Sequence, residues 1–137
     1  MTIDLGERDD IHPTNKLDVG RRIARAVRHV AYGESIAPTG PVVRSATLEP
    51  DRVVVTIGDV EERLLTGSSS HAIGFELCGA EKGTCHFVEA TVEGDRVVIP
   101  FEGAPPARVR FSWGDSPIVN LWDGSGIPVG PFEQALQ

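Results

Sequence analysis

Ile36-Ala37-Pro38-Thr39-Gly40-Pro41 divides the chain. Pro38 and Pro41 bring no backbone donor, and Gly40 relaxes the local backbone, so neither a helix nor a strand runs through this stretch. Ahead of it, apolar residues recur at helical spacing; behind it, they alternate as in strands. That switch predicts one helix followed by a β-rich domain, with residues 1–37 and 41–137 as the two parts.

The helical pattern comes from Val19, Ile23, Ala26, Val27, Val30 and Ala31, which fall on one stripe. Thr14 or Asn15 can cap its start, and Asp18 sits in the first turn, where the helix dipole favours an acid. Gly33 is placed to end it. The helix is expected from about Asn15 to Tyr32. Arg21, Arg22, Arg25 and Arg28 form its polar face, read as solvated. The apolar stripe calls for a sheet or a second helix that this chain need not contain.

Beyond Pro41, short β-branched runs alternate with turns. Val42–Leu48 and Arg52–Ile57 flank the turn Glu49-Pro50-Asp51, and Ala72–Cys78 and His86–Val92 follow. Glu93-Gly94-Asp95 turns into Arg96–Pro100, and Ala107–Trp113 alternates, with Val109, Phe111 and Trp113 in one register. With no second helix, the pattern predicts a mainly β fold, an antiparallel β-sandwich over residues 41–137. Thr66–His71 reads as a serine-rich loop.

The 137 residues suffice for one ordinary domain, or a small one and part of another. A formal charge of −7 argues against nucleic acid and against an anionic membrane surface, which clustered Lys and Arg would hold. No segment reaches the roughly 18 apolar residues of a membrane span. The acidic start, Met1 to Glu7, lacks the apolar run of a signal peptide. Cys78 and Cys85 can meet across a hairpin and pair in an oxidising compartment, or remain two thiols. Two cysteines alone make a poor metal site.

The chemistry-bearing stretch is Asp9-Asp10-Ile11-His12-Pro13, a polar loop just before the helix. An acid two or three residues ahead of a histidine supplies the acid–base half of a serine hydrolase site: the acid orients the imidazole, which takes and returns the nucleophile's proton. Pro13 biases His12 toward an extended backbone. In an extended segment Asp10 and His12 share a side and Ile11 points to the core, which favours Asp10; a turn over residues 9–12 favours Asp9. No matching serine stands out. Gly114-Asp115-Ser116 imitates a nucleophile motif, but Pro117 follows and no helix is expected to lend its dipole to an oxyanion, so it reads as a turn. Ser68, Ser69 and Ser70 lack the G-x-S-x-G frame. His29, His71 and His86 take no role. Trp113 reads as core or inter-domain packing; Trp122 is as suited to packing as to stacking on a sugar.

The run Asp4-Leu5-Gly6-Glu7 … Asp10-Ile11-His12-Pro13-Thr14-Asn15-Lys16-Leu17-Asp18-Val19-Gly20-Arg21-Arg22 strongly resembles the C-terminal catalytic block of the sialate O-acetylesterase family. These are SGNH-type serine esterases that remove acetyl groups from sugars. The resemblance continues at Tyr32-Gly33, Gly40-Pro41, Gly74–Cys78, Val109–Trp113, Asn120-Leu121-Trp122, Gly126-Ile127-Pro128 and Pro131-Phe132. In the GDSL esterases the serine motif lies near the domain's start and the acid–histidine pair near its end, the reverse of the order of Gly114-Asp115-Ser116 and His12 here.

The resemblance implies that residues 1–37 are the end of an α/β/α SGNH catalytic domain and residues 41–137 an accessory β-sandwich. It implies hydrolysis of O-acetyl groups on a sugar or glycan, with His12 as general base. The broader Asp-x-x-His pattern selects Asp9 as the acid, and the sialate branch's Asp-Ile-His-Pro selects Asp10. The nucleophile motif and the oxyanion-hole Gly and Asn lie upstream in the family, so the chain alone is expected to be inactive without that N-terminal catalytic segment. No metal or organic cofactor is implied, and the parent protein is expected to be periplasmic or secreted. The alternative is a non-catalytic carbohydrate-binding or structural β-sandwich module.

Overall fold

A computed structural model describes residues 1–137. One helix, α1 (Lys16–Tyr32), precedes ten strands, all paired antiparallel. Asn15 is the N-cap: its side chain accepts from the Asp18 N–H, while Asp18 takes hydrogen bonds from Asn15 and Arg21 that hold its carboxyl below the usual range. Gly33 adopts the left-handed conformation that ends the helix.

The strands β1 (Val42–Leu48), β2 (Arg52–Gly58), β6 (Thr91–Glu93) and β7 (Arg96–Pro100) form one sheet in the order β1-β2-β7-β6. The second sheet, β10-β8-β4-β5, is built from β4 (Phe75–Cys78), β5 (His86–Phe87), β8 (Arg108–Phe111) and β10 (Phe132–Ala135). Alternate residues of both turn inward: Val53, Val55, Ile57, Val97 and Ile99 from one, Phe75, Leu77, Val109 and Phe111 from the other. A ribbon of β3 (Leu64–Thr66) and β9 (Leu121–Asp123) adds Leu64 and Leu121. This is the expected sandwich. Its cluster of 16 buried residues begins at Ala46, so residues 1–37 contribute nothing to the core.

The run His86–Val92 is not one strand. It divides into β5 and β6, which belong to different sheets, and Ala90 pairs with Ala72 at the crossing. Cys78 and Cys85 are joined in a disulfide that closes the β4–β5 connection, with Cα atoms 4.0 Å apart. The 38–41 break is packed, not free: Gly40 (φ +86°) lies so close to the segment after β9 that a Cβ would stand 2.4 Å from Ile127 Cγ2.

Two buried polar side chains organise the β9 end. Asn120 accepts from the Ile73 N–H (2.7 Å) and donates to the carbonyls of Gly67 and His71, pinning the serine-rich loop. The Asp123 carboxylate accepts from the backbone N–H groups of Glu61 and Ser125 and from the Ser125 hydroxyl. Such satisfaction is what allows polar groups to be buried.

The attachment of α1 reverses the expectation for its arginines. Arg22 forks onto both Asp4 oxygens (2.5 and 2.8 Å) and also donates to the carbonyls of Met1 and Gly126. Arg25 donates to the Ala37 carbonyl (2.6 Å) and pairs with Glu61. These two are partly buried against the β domain, not solvated, because charge-assisted forks are what hold the helix there. The apolar stripe faces outward, and α1 has no buried residue. No helix is long and apolar enough to cross a membrane.

The candidate active-site loop and the cleft beside it

The loop that carries the acid–histidine motif folds back twice. Glu7 and Asp10 bridge across a turn at Arg8-Asp9, and the Glu7 carboxylate accepts from both the Thr14 N–H (3.1 Å) and the Thr14 hydroxyl (2.9 Å). Those bonds, the backbone one foremost, hold the Glu7 carboxyl below the usual range. They fix the loop to the start of α1. The Asp10 carboxylate then accepts from the His12 N–H at 2.8 Å, the side-chain turn typical of aspartate in loops.

Asp9, Asp10 and His12 are all exposed on this loop. Asp10 and His12 are brought together through the His12 backbone rather than its ring, and the imidazole has no hydrogen-bond partner in the chain. The segment is turned, not extended, so the alternation argument for Asp10 loses its premise. Ile11 accordingly does not reach the core; it is 90% exposed. No group of three or more His, Cys, Asp and Glu side chains could hold a metal ion.

Beside the loop lies an open cleft of about 860 Å³. Gly6, Glu7 and Arg8 form one wall, and the segment from Ser112 to Ser116 forms the opposite one. Gly114-Asp115-Ser116 is an irregular bend in this wall with no helix after it. Ser112 takes a left-handed backbone (φ 49°), rare for a residue with a Cβ, and ends β8 at Phe111. Trp113 is therefore thrown outward. It is 53% exposed and not part of the core, contrary to its alternating position. The Arg110 guanidinium lies 5.2 Å from the Trp113 ring centre and is itself held by Glu133 at 2.5 Å. Trp122, half-buried at the same cleft, lies against Gly67, where a Cβ would stand 2.8 Å from the ring.

No family model matches the chain. No curated protein matches it either. Among solved structures, XAC1771, described as a novel carbohydrate acetylesterase from Xanthomonas citri, is similar over 96% of this chain, at 37% identity and a TM-score of 0.85. The chain spans 31% of the length of that protein. In sequence and in fold, then, it is related to part of a carbohydrate acetylesterase.

Proposed function

We propose that this chain is the C-terminal part of a carbohydrate esterase that hydrolyses O-acetyl groups of sugars through a serine nucleophile. One observation above all supports this: 96% of the chain matches part of a carbohydrate acetylesterase at 37% identity. Within that class the Asp10-Ile11-His12-Pro13 block favours the sialate O-acetylesterase branch. Residues 1–37 then close the SGNH catalytic domain, and residues 41–137 are its accessory sandwich. The partner of the outward stripe on α1, Ile23, Val27 and Val30, is the rest of the catalytic domain, supplied from upstream.

In the assembled site the serine oxygen attacks the acetyl carbonyl while the His12 imidazole removes its proton. His12 returns that proton to the departing sugar oxygen, and water cleaves the acyl-enzyme in a second round. An acid on the far ring nitrogen holds the tautomer and stabilises the imidazolium. Asp9 suits this better than Asp10: the loop turns, and one Asp10 oxygen is already engaged by the His12 N–H. Asp10 positions the loop. In the assembled enzyme, Asp9→Asn should lower kcat by about 10³–10⁴ with KM little changed. A larger loss in Asp10→Asn than in Asp9→Asn would reverse the two assignments.

The isolated chain should not release 4-nitrophenol from 4-nitrophenyl acetate above background. Turnover abolished by both His12→Ala and Ser116→Ala would instead make Gly114-Asp115-Ser116 the nucleophile motif.

A further inference from the structure

From the cleft between Gly6–Arg8 and Ser112–Ser116 we infer a sugar-binding site, with Trp113 as the platform on which a pyranose ring stacks. This deepens the esterase proposal, since its ligand class is the carbohydrate that proposal invokes. Three features meet here. The first is the indole of Trp113: one face is backed by Arg110, which Glu133 anchors, so the ring is held before any ligand arrives. An aromatic face fixed in this way suits the C–H face of a pyranose.

The second feature is Ser112. It is only 4% exposed, it lines the cleft, and its Oγ is buried without a hydrogen-bond partner. Its left-handed backbone adds a further cost. The hydroxyl itself lies beside Gly74, away from the cleft, but a strained backbone is a cost of the kind that gathers at ligand sites. The same strain ejects Trp113 from the sheet. The third feature is the polar lining of both walls. Glu7 and Arg8, with Asp115 and Ser116, offer carboxylates, a guanidinium and a hydroxyl, the groups that hydrogen-bond sugar hydroxyls. Glu7 and Arg8 belong to the loop that runs on to His12, so a sugar in the cleft lies on the active-site side of the domain.

The chain's two tryptophans, Trp113 and Trp122, both line the cleft, so the unmodified protein reports on it. That protein is titrated, by tryptophan emission, with two probes: an O-acetylated xylo-oligosaccharide and an O-acetylated sialoside, with free acetate as control. The expected result is a saturable emission change with at least one sugar and none with acetate; which sugar responds separates a plant glycan from a sialic acid source. By calorimetry, Trp113→Ala should weaken binding about tenfold or more, whereas Trp113→Phe retains most of it. Trp113 is outside the core, so an unchanged melting temperature confirms the fold of the variant. Ser112→Gly should melt higher than wild type, because it removes both the strain and the unpaired hydroxyl. No saturable change with either sugar, or binding undiminished in Trp113→Ala, overturns the site. The assay needs no turnover: sugar binding without His12-dependent hydrolysis in the assembled enzyme would sink the esterase reading and leave the cleft standing.

Discussion

Val55 and Val27 are the same residue in opposite circumstances. Val55, on β2, is 0% exposed between two sheets; Val27, on α1, is 44% exposed and belongs to a stripe that meets nothing. Residues 41–137 bury their apolar alternation within themselves, and the C-terminus closes the unit by pairing Gln137 with Ala46 and Leu48 on β1. Residues 1–37 instead turn their charges inward, through Arg22 and Arg25, and their apolar face out. An amphipathic pattern thus reports that a partner exists without guaranteeing that it is in the same chain.

The largest effect should come from the closed region. Phe111 is fully buried, with its ring 4.6 Å from Phe75 and 5.8 Å from Phe132. Phe111→Ala should cost about 3–5 kcal/mol in urea unfolding, enough to leave a domain of this size marginal. A loss under about 1 kcal/mol would mean that the sandwich core is loosely packed. Next comes the disulfide. Closing so short a loop is worth about 2–3 kcal/mol in the chain-entropy account, so reduction should lower the melting temperature of the β unit by up to about 10 °C. No change on reduction would show that Cys78 and Cys85 are not joined in solution.

Part of this contrast is legible in the sequence. The helix is bounded by Asn15 and Gly33 because caps are local chemistry, and Val42–Leu48 and Arg96–Pro100 coincide with β1 and β7 because flanking turns mark them. Alternation fails where tertiary structure intervenes. The strand expected over His86–Val92 is cut at a sheet crossing, and Trp113 leaves its register because Ser112 adopts a positive φ that no neighbouring residue announces. Leu64–Thr66, Leu121–Asp123 and Phe132–Ala135 are too short for periodicity to register. The arginine face of α1 misleads for a similar reason: Asp4 and Glu61, its partners, are distant in sequence. At the candidate site, the motif residues are visible as a local block. The Trp113 cleft is not, because its two walls lie about a hundred positions apart.

Acid should separate the two regions more gently. Glu7, Asp18 and Glu34 in the N-terminal part have carboxyls lowered chiefly by hydrogen bonds from Thr14, Asn15 and Arg28 respectively; in the β part only Asp51, held by Arg52, is similarly lowered. A carboxyl whose folded pKa lies below its unfolded value, about 4, contributes stability above that value and loses it as pH falls through the folded one. The helical circular-dichroism signal should therefore decline below about pH 4 while the β signal persists. Loss of the β signal first would break the comparison. The smallest effect belongs to the outward stripe: Ile23→Ser should change the stability of the isolated chain by no more than about 0.5 kcal/mol. A loss above about 1.5 kcal/mol would mean that the stripe is buried within this chain in solution.

On the proposed function, His12 works in a carbohydrate esterase whose nucleophile lies in the segment that covers α1. This is tested by replacing the matched third of the Xanthomonas acetylesterase with this chain and measuring acetate release from an O-acetylated oligosaccharide. The expected result is an active chimera in which His12→Ala lowers kcat by about 10³-fold or more, with melting temperature unchanged. A folded, active chimera indifferent to His12→Ala would contradict it.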